Sequence, residues 1–162
     1  MNSSGASSPG DYLVDTNVLL RSVEVGHPMH AAARQALQHL TAAGATLFIA
    51  PQNLIEFWVV ATRPVSANGL GLSPVQTAVE VGNFKTAFRL LPDTAAIFPH
   101  WERIVATYGV QGKQAHDARL VAVMKAHGIG QILTFDLGDF GPFASGESIT
   151  VVDPAAVAVP PP

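Results

Sequence analysis

The sequence predicts an α/β fold: a single three-layer α/β/α domain built on a mainly parallel sheet of about five strands. Short runs of apolar and β-branched residues alternate along the chain with longer segments of helical periodicity, a pattern typical of parallel sheets with helices on both faces. The 162 residues contain no internal repeat and no domain linker, and this length suits one domain with a sizeable core.

The predicted elements follow one another in a regular order. Strands are expected at residues 12–14, 46–50, 89–92, 131–135 and 148–152. Helices are expected at residues 17–22, 28–43, 51–63, 73–88, 94–108 and 114–127. Pro51 and Ser73-Pro74 suit the starts of helices. Gly44 and Gly128 suit their ends.

Both ends of the chain are predicted to be flexible, which places the domain at residues 11–153. Residues 1–10 are rich in Ser and Gly, and residues 154–162 end in three prolines. The first ten residues lack the basic start and apolar core of a signal peptide. No apolar run reaches the ~18 residues that a membrane span requires, so a cytoplasmic protein is expected.

Composition narrows the chemistry that the chain can perform. Only 13% of the residues are charged, whereas soluble proteins average about 25%. A surface this poor in charge favours coverage by a partner or by a second copy of the chain. The chain contains no cysteine, which excludes disulfides and thiolate metal sites. Metal chemistry would therefore depend on oxygen and imidazole.

The net charge of −3 is unusual for a nucleic-acid binder, since such proteins are generally basic. Five of the twelve acids belong to the motifs described below. The rest of the chain then has seven acids and nine Lys and Arg residues. Bound divalent cations would offset much of the charge of those five acids. Net charge therefore neither supports nor excludes a nucleic-acid substrate.

Two acids are predicted to follow strands directly: Asp15 ends the first strand and Asp136 the fourth. In parallel sheets, ligands bind beyond the carboxyl ends of the strands, so both acids are candidate site residues. Two alternatives stay open at this point. Asp15 could instead cap the helix that follows it, and Asp136 with Asp139 could build a turn.

Glu56 interrupts one of the most apolar helices of the chain. Its neighbours Val59 and Val60 indicate that it shares an inward face. Glu is seldom fully buried unless it is paired or binds a metal. The alternative is an exposed stripe through Glu56 and Arg63.

Asp117 is predicted to share a helix face with three apolar residues, Leu120, Val121 and Met124. It would therefore stand at the N-terminal end of a core stripe. The helix dipole would also favour an acid in this first turn. That alternative does not explain why the acid is aligned with the core stripe.

The four acids Asp15, Glu56, Asp117 and Asp136 are expected to meet at one edge of the sheet. Like charges this close would not all stay ionised in a dry site without a cation. Ligation by oxygen alone selects a hard metal such as Mg²⁺ or Mn²⁺. Such a metal polarises a phosphate and lowers the pKa of a bound water, so hydrolysis of a phosphodiester bond is the reaction that this arrangement serves best.

Four motifs, in this order, resemble the PIN-domain family. They are Asp15-Thr16-Asn17, Glu56 in a mid-chain helix, His116-Asp117-Ala118, and residues 134–140. The resemblance covers residues 11–152 and implies a PIN-like fold. It further implies that one or two Mg²⁺ or Mn²⁺ ions are bound by Asp15, Glu56, Asp117 and Asp136, with Asp139 as an additional acid. Three residues would support the site by hydrogen bonding: Thr16, Asn17 and Thr134.

A free-standing PIN domain of this size is similar to the VapC-type toxins of toxin–antitoxin pairs. The resemblance implies endonucleolytic cleavage of RNA, restraint by a cognate antitoxin protein, and a homodimer. Glu56 would ligate the metal or orient the attacking water. Arg63 and Lys113 are candidate RNA contacts, with solvated surface charges as the alternative. His116 is expected to point away from Asp117 and is not assigned as a ligand.

Two other functions remain as alternatives. A haloacid-dehalogenase-like phosphatase would also place an Asp after the first strand, but its motif requires a second Asp where this chain has Asn17. A catalytically inactive PIN scaffold would bind RNA or protein without chemistry. Such a scaffold has no need of clustered carboxylates.

Overall fold

The computed structural model describes residues 10–157. Within them, five strands form one sheet: β1 (Asp11–Val14), β2 (Thr46–Ile49), β3 (Arg89–Leu90), β4 (Gln131–Leu133) and β5 (Thr150–Val152). The spatial order is β3-β2-β1-β4-β5, and every neighbouring pair is parallel. The predicted parallel sheet of five strands is confirmed.

Seven α-helices connect these strands across the described residues. They are α1 (Thr16–Val23), α2 (His30–Ala42), α3 (Pro51–Thr62), α4 (Pro74–Ala87), α5 (Ile97–Tyr108), α6 (Gln114–His127) and α7 (Leu137–Ala144). Short 3-10 turns lie at Val65–Ala67 and Pro154–Ala156. Within residues 10–157, no helix combines the length and hydropathy that crossing a membrane would require.

The strands contribute alternate residues to two separate cores, because successive side chains of a strand point to opposite faces of the sheet. Leu13 and Ile132 pack with α5, α6 and α7 on one face. Val14 and Leu133 pack with α1, α2, α3 and α4 on the other. This arrangement is the predicted three-layer α/β/α domain.

Helix α7 is a feature that the sequence analysis missed, because Gly138, Gly141 and Pro142 are typical of a turn. The alternative in which Asp136 and Asp139 build a turn therefore does not hold, because α7 begins at Leu137. The helix forms because Phe140 and Phe143 are fully buried in the core. Burial of two aromatic side chains outweighs the weak helix propensity of the segment.

Two predicted boundaries also need correction. Helix α5 begins at Ile97 rather than residue 94, which places Pro99 in its first turn, where a missing N–H costs nothing. Pro154–Ala156 form a 3-10 turn with Pro154 buried, so the prediction of disorder does not hold for these three residues. The predicted flexibility of residues 1–9 and 158–162 lies outside the described residues.

The sheet order defines where a ligand is expected. From β1 the chain moves to β2 on one side and returns to β4 on the other, so the strand order reverses between β1 and β4. In open α/β sheets, ligands bind at the carboxyl ends of the strands at such a reversal. Asp15 follows β1 directly, as predicted. The prediction for Asp136 needs correction, because β4 ends at Leu133 and Asp136 lies three residues beyond it.

Candidate metal centre

Asp15 both caps α1 and lies in the candidate site. One carboxylate oxygen, Oδ1, accepts the backbone N–H of Thr16 at 2.7 Å. The other, Oδ2, accepts the hydroxyl of Thr134 at 2.8 Å. Burial raises the pKa of Asp15 to about 7, and the charges of Asp117 and Glu56 add to the rise, although the hydrogen bonds from Thr134 and Thr16 oppose it.

Asp117 stands in the first turn of α6, as predicted, with Leu120, Val121 and Met124 buried behind it. Its own side chain is half-buried. The predicted alignment of this acid with the core stripe is confirmed by the burial of those three residues.

The environment of Asp117 is crowded with negative charge. Burial, together with the smaller effects of the carboxylates of Asp139, Glu56 and Asp136, raises the pKa of its carboxyl to about 7. The ammonium group of Lys113 opposes this rise. Like charges this close favour a bound cation.

Glu56 is held at both of its carboxylate oxygens. The hydroxyl of Thr16 donates to Oε2 at 2.7 Å, and the amide of Gln52 donates to Oε1 at 2.8 Å. Of the two neighbours that predicted an inward face, Val60 is partly buried against the core, but Val59 is 51% exposed, so the prediction fails at Val59. Helix α3 buries Phe57 instead, and Glu56 faces the cavity described below.

A hydrogen-bonded chain links the ends of β1 and β4. The amide of Asn17 donates to Asp136 Oδ2 at 3.0 Å and to Thr134 Oγ1 at 3.1 Å. The hydroxyl of Thr134, which is fully buried, in turn donates to Asp15. Asn17 and Thr134 therefore orient two carboxylates from neighbouring strands.

One cavity of about 790 Å³ brings the predicted residues together. Its lining includes six acids: the five predicted ones, Asp15, Glu56, Asp117, Asp136 and Asp139, and also Asp93. It also includes the predicted RNA contacts Arg63 and Lys113, together with His116. Asp136 and Asp139 are exposed, and Thr134 lies behind the cavity beneath Asp15.

Three polar cavity residues were not predicted from the sequence: Gln52, Arg119 and Asp93. The side chain of Gln52 bonds to Glu56 and to the backbone of His116. Arg119 donates to Gln52 at 3.1 Å. The spacing of Gln52 from Glu56, one helical turn, is the only sequence signal that points to the first contact.

The donor set fits a hard divalent cation. It consists of carboxylate oxygens, which are the ligands that Mg²⁺ and Mn²⁺ prefer, and two of these carboxyls have a pKa raised to about 7. Within residues 10–157, no three acid or histidine side chains already lie close enough to hold one ion together. Ligation by three carboxylates would therefore require rotations of exposed side chains such as Asp136 and Asp139.

Comparison with known proteins identifies the family. Residues 12–140 match the model of the PIN domain family. Ribonuclease VapC48 from Mycobacterium tuberculosis is 25% identical over 142 residues, which cover 86% of this chain and 94% of that protein.

Solved structures share the fold. The structure of VapBC2 from Rickettsia felis, bound to a promoter DNA fragment, matches with a TM-score of 0.65 and 14% identity over 88% of this chain and 98% of that chain. Mycobacterium tuberculosis VapC20, described as a sarcin-ricin loop cleaving toxin, matches with a TM-score of 0.56 and 21% identity over 75% of this chain and 86% of that chain. Because the family match covers most of the sequence and includes all five predicted acids, the chain belongs to the PIN domain family.

Proposed function

We propose that this protein is a metal-dependent endoribonuclease that hydrolyses RNA phosphodiester bonds and serves as the toxin of a toxin–antitoxin pair. The observation that carries the proposal is that all five predicted acids line one cavity, two of them with a pKa raised to about 7. The similarity to a ribonuclease over nearly the whole chain supports RNA as the substrate.

The proposed roles follow from the contacts of each side chain. Asp15, Asp117 and Asp136 would hold one or two Mg²⁺ or Mn²⁺ ions, with Asp139 as an additional ligand. A metal bound there would polarise the scissile phosphate and lower the pKa of a bound water. Glu56, with one hydrogen bond to each oxygen, would ligate the metal or orient the water for in-line attack.

The cationic side of the cavity would receive the RNA backbone. Arg63 and Lys113 line the cavity and are exposed, and Arg or Lys side chains commonly contact phosphates. Neutralising either charge should weaken RNA binding and reduce its dependence on salt. The hydrolytic step should change little, because neither side chain is assigned to the metal.

A cognate antitoxin and a second copy of the chain are the proposed protein partners. The low proportion of charged residues, 13%, supports coverage of part of the surface. The solved neighbour from Rickettsia felis is a complex. Light scattering of the purified chain would determine whether it is a dimer.

The decisive experiment is a cleavage assay on mixed structured RNA with Mg²⁺ or Mn²⁺. We expect metal-dependent cutting by the wild type and at least a 100-fold loss in Asp15→Asn and Asp117→Asn, the range seen when a central catalytic group is removed. Asp11→Asn is the matched control, since Asp11 lies at the exposed start of β1, the strand that Asp15 follows. Cutting that persists without metal, or in both variants, would contradict the proposal.

A further inference from the structure

Gln52 joins the two helices that carry Glu56 and Asp117. It lies one turn before Glu56 on α3 and is only 7% exposed. Its Nε2 donates to Glu56 Oε1 and to the backbone carbonyl of His116 on α6, both at 2.8 Å. The Gln52 amide therefore binds the Glu56 carboxylate directly and also binds the backbone next to Asp117.

Arg119 determines the orientation of the Gln52 amide. Its Nη1 donates to Gln52 Oε1 at 3.1 Å, and its Nη2 donates to Asp93 Oδ1 at 3.3 Å. A flipped Gln52 amide would turn its oxygen towards two acceptors and its NH₂ towards the Arg119 guanidinium. The Gln52 side chain would then lose its bonds to Glu56, to the His116 carbonyl and to Arg119. The NH₂ group of Gln52 is therefore fixed in the orientation in which it donates to Glu56.

Two hydrogen bonds define the direction of the Glu56 carboxylate. Thr16 donates to Oε2 and Gln52 to Oε1. A carboxylate has about four lone-pair positions, so two positions remain for a cation or a water in the cavity. Without the bond from Gln52, the terminal torsions of Glu56 would be restrained on one side only.

We propose that Gln52, held in one orientation by Arg119, is a positioning residue of the nuclease site. It orients the Glu56 carboxylate and fixes the separation between Glu56 and Asp117. The inference rests on the proposed function, because the direction of Glu56 matters only if Glu56 acts at the metal centre. Residues that hydrogen-bond to the ligands of a metal site typically change metal affinity or activity 10–100-fold when mutated.

The first test is Gln52→Leu, which keeps the approximate size of the side chain and removes the amide. We expect an unchanged circular dichroism spectrum, a 10–100-fold weaker affinity for Mn²⁺ by titration calorimetry or a similar fall in kcat, and an unchanged KM for RNA. Gln35→Leu, at an exposed position of α2, is the matched control and should retain wild-type values.

A double-mutant cycle separates positioning from a general structural role. If Gln52 acts through Glu56, then Gln52→Leu should cause no further loss of Mn²⁺ affinity or kcat in the Glu56→Ala background. Losses that multiply in the double variant would overturn the inference. Arg119→Met leaves Gln52 in place but removes the hydrogen bond that orients its amide. It should cause a smaller loss of Mn²⁺ affinity or kcat, and this loss should likewise disappear in the Glu56→Ala background.

The controls distinguish this inference from the proposed function. If Gln52→Leu does not fold, Arg119→Met in the wild-type and Glu56→Ala backgrounds supplies the same comparison. A wild type that binds Mn²⁺ and cuts RNA, with Gln52→Leu matching it in Mn²⁺ affinity and kcat, would overturn the inference alone. A wild type that neither binds Mn²⁺ nor cuts RNA would overturn the proposed function and this inference with it.

Discussion

At the scale of single residues, two carboxylates of the cavity, those of Asp15 and Asp117, oppose the stability of the metal-free fold. Folding raises the pKa of Asp15 and Asp117 from 3.8 to about 7, mainly through burial. Between these two pH values the folded chain binds more protons than the unfolded chain. The free energy of unfolding of the metal-free protein should therefore fall as the pH rises from about 4 to 7.

Asp117→Asn should relieve part of this penalty. After a discount for solvent screening at this half-buried site, we expect a gain of about 1–2 kcal/mol at pH 8, or roughly 2–8 °C in Tm. At pH 5 the gain should shrink, because the wild-type carboxyl is then largely protonated. Thermal melting in EDTA at both pH values measures the effect, with Asp11→Asn as the control. A lower Tm at pH 8 would contradict it.

At the scale of elements, hydrogen bonds of Glu147 link the end of α7 to α5 and α6. Its carboxylate accepts bonds from Arg103 and from the hydroxyl of Tyr108, and Lys125 donates to its backbone carbonyl at 3.0 Å. A Cβ on Gly146 would lie 1.9 Å from the Tyr108 hydroxyl, so this close approach requires glycine. The Arg103 hydrogen bond is the largest cause of a lowered pKa at Glu147.

Glu147→Gln should destabilise the protein at pH 7 by about 1–3 kcal/mol, because a buried acceptor of a charged donor, the Arg103 guanidinium, is weakened. A carboxyl with a lowered pKa stabilises the fold above its unfolded pKa, and this contribution disappears as the pH falls through its folded pKa. Urea unfolding at pH 7 and pH 4 should therefore show a smaller difference between variant and wild type at pH 4. An equal difference at both pH values would argue against the charge as the cause.

At the scale of the whole molecule, the metal and the fold should stabilise each other. A cation that binds only the folded chain adds about 2.7 kcal/mol at a concentration 100 times its Kd. Mn²⁺ should therefore raise the Tm of the wild type, and the rise should vanish in a double variant, Asp15→Asn with Asp117→Asn. A folded wild type whose Tm does not respond to Mn²⁺ would favour the inactive scaffold instead.

The sequence by itself determined the architecture and the acids of the candidate site. Alternating apolar runs and helical periods depend on local geometry, so the order of strands and helices could be predicted, and all but α7 were. Asp15 and Asp136 follow strands, and parallel strands end at a common edge of the sheet. This rule led to Asp15 and Asp136, and the apolar patterns of two helices led to Glu56 and Asp117. All four acids line one cavity.

Only the tertiary structure decided the features that depend on distant partners. Helix α7 contains Gly138, Gly141 and Pro142, and it forms because Phe140 and Phe143 are buried in the core. The bond between Gln52 and Arg119 joins residues 67 positions apart. Side-chain hydrogen bonds between helices leave no period in the sequence, because their partners are selected by the packing of the finished fold and not by neighbours along the chain.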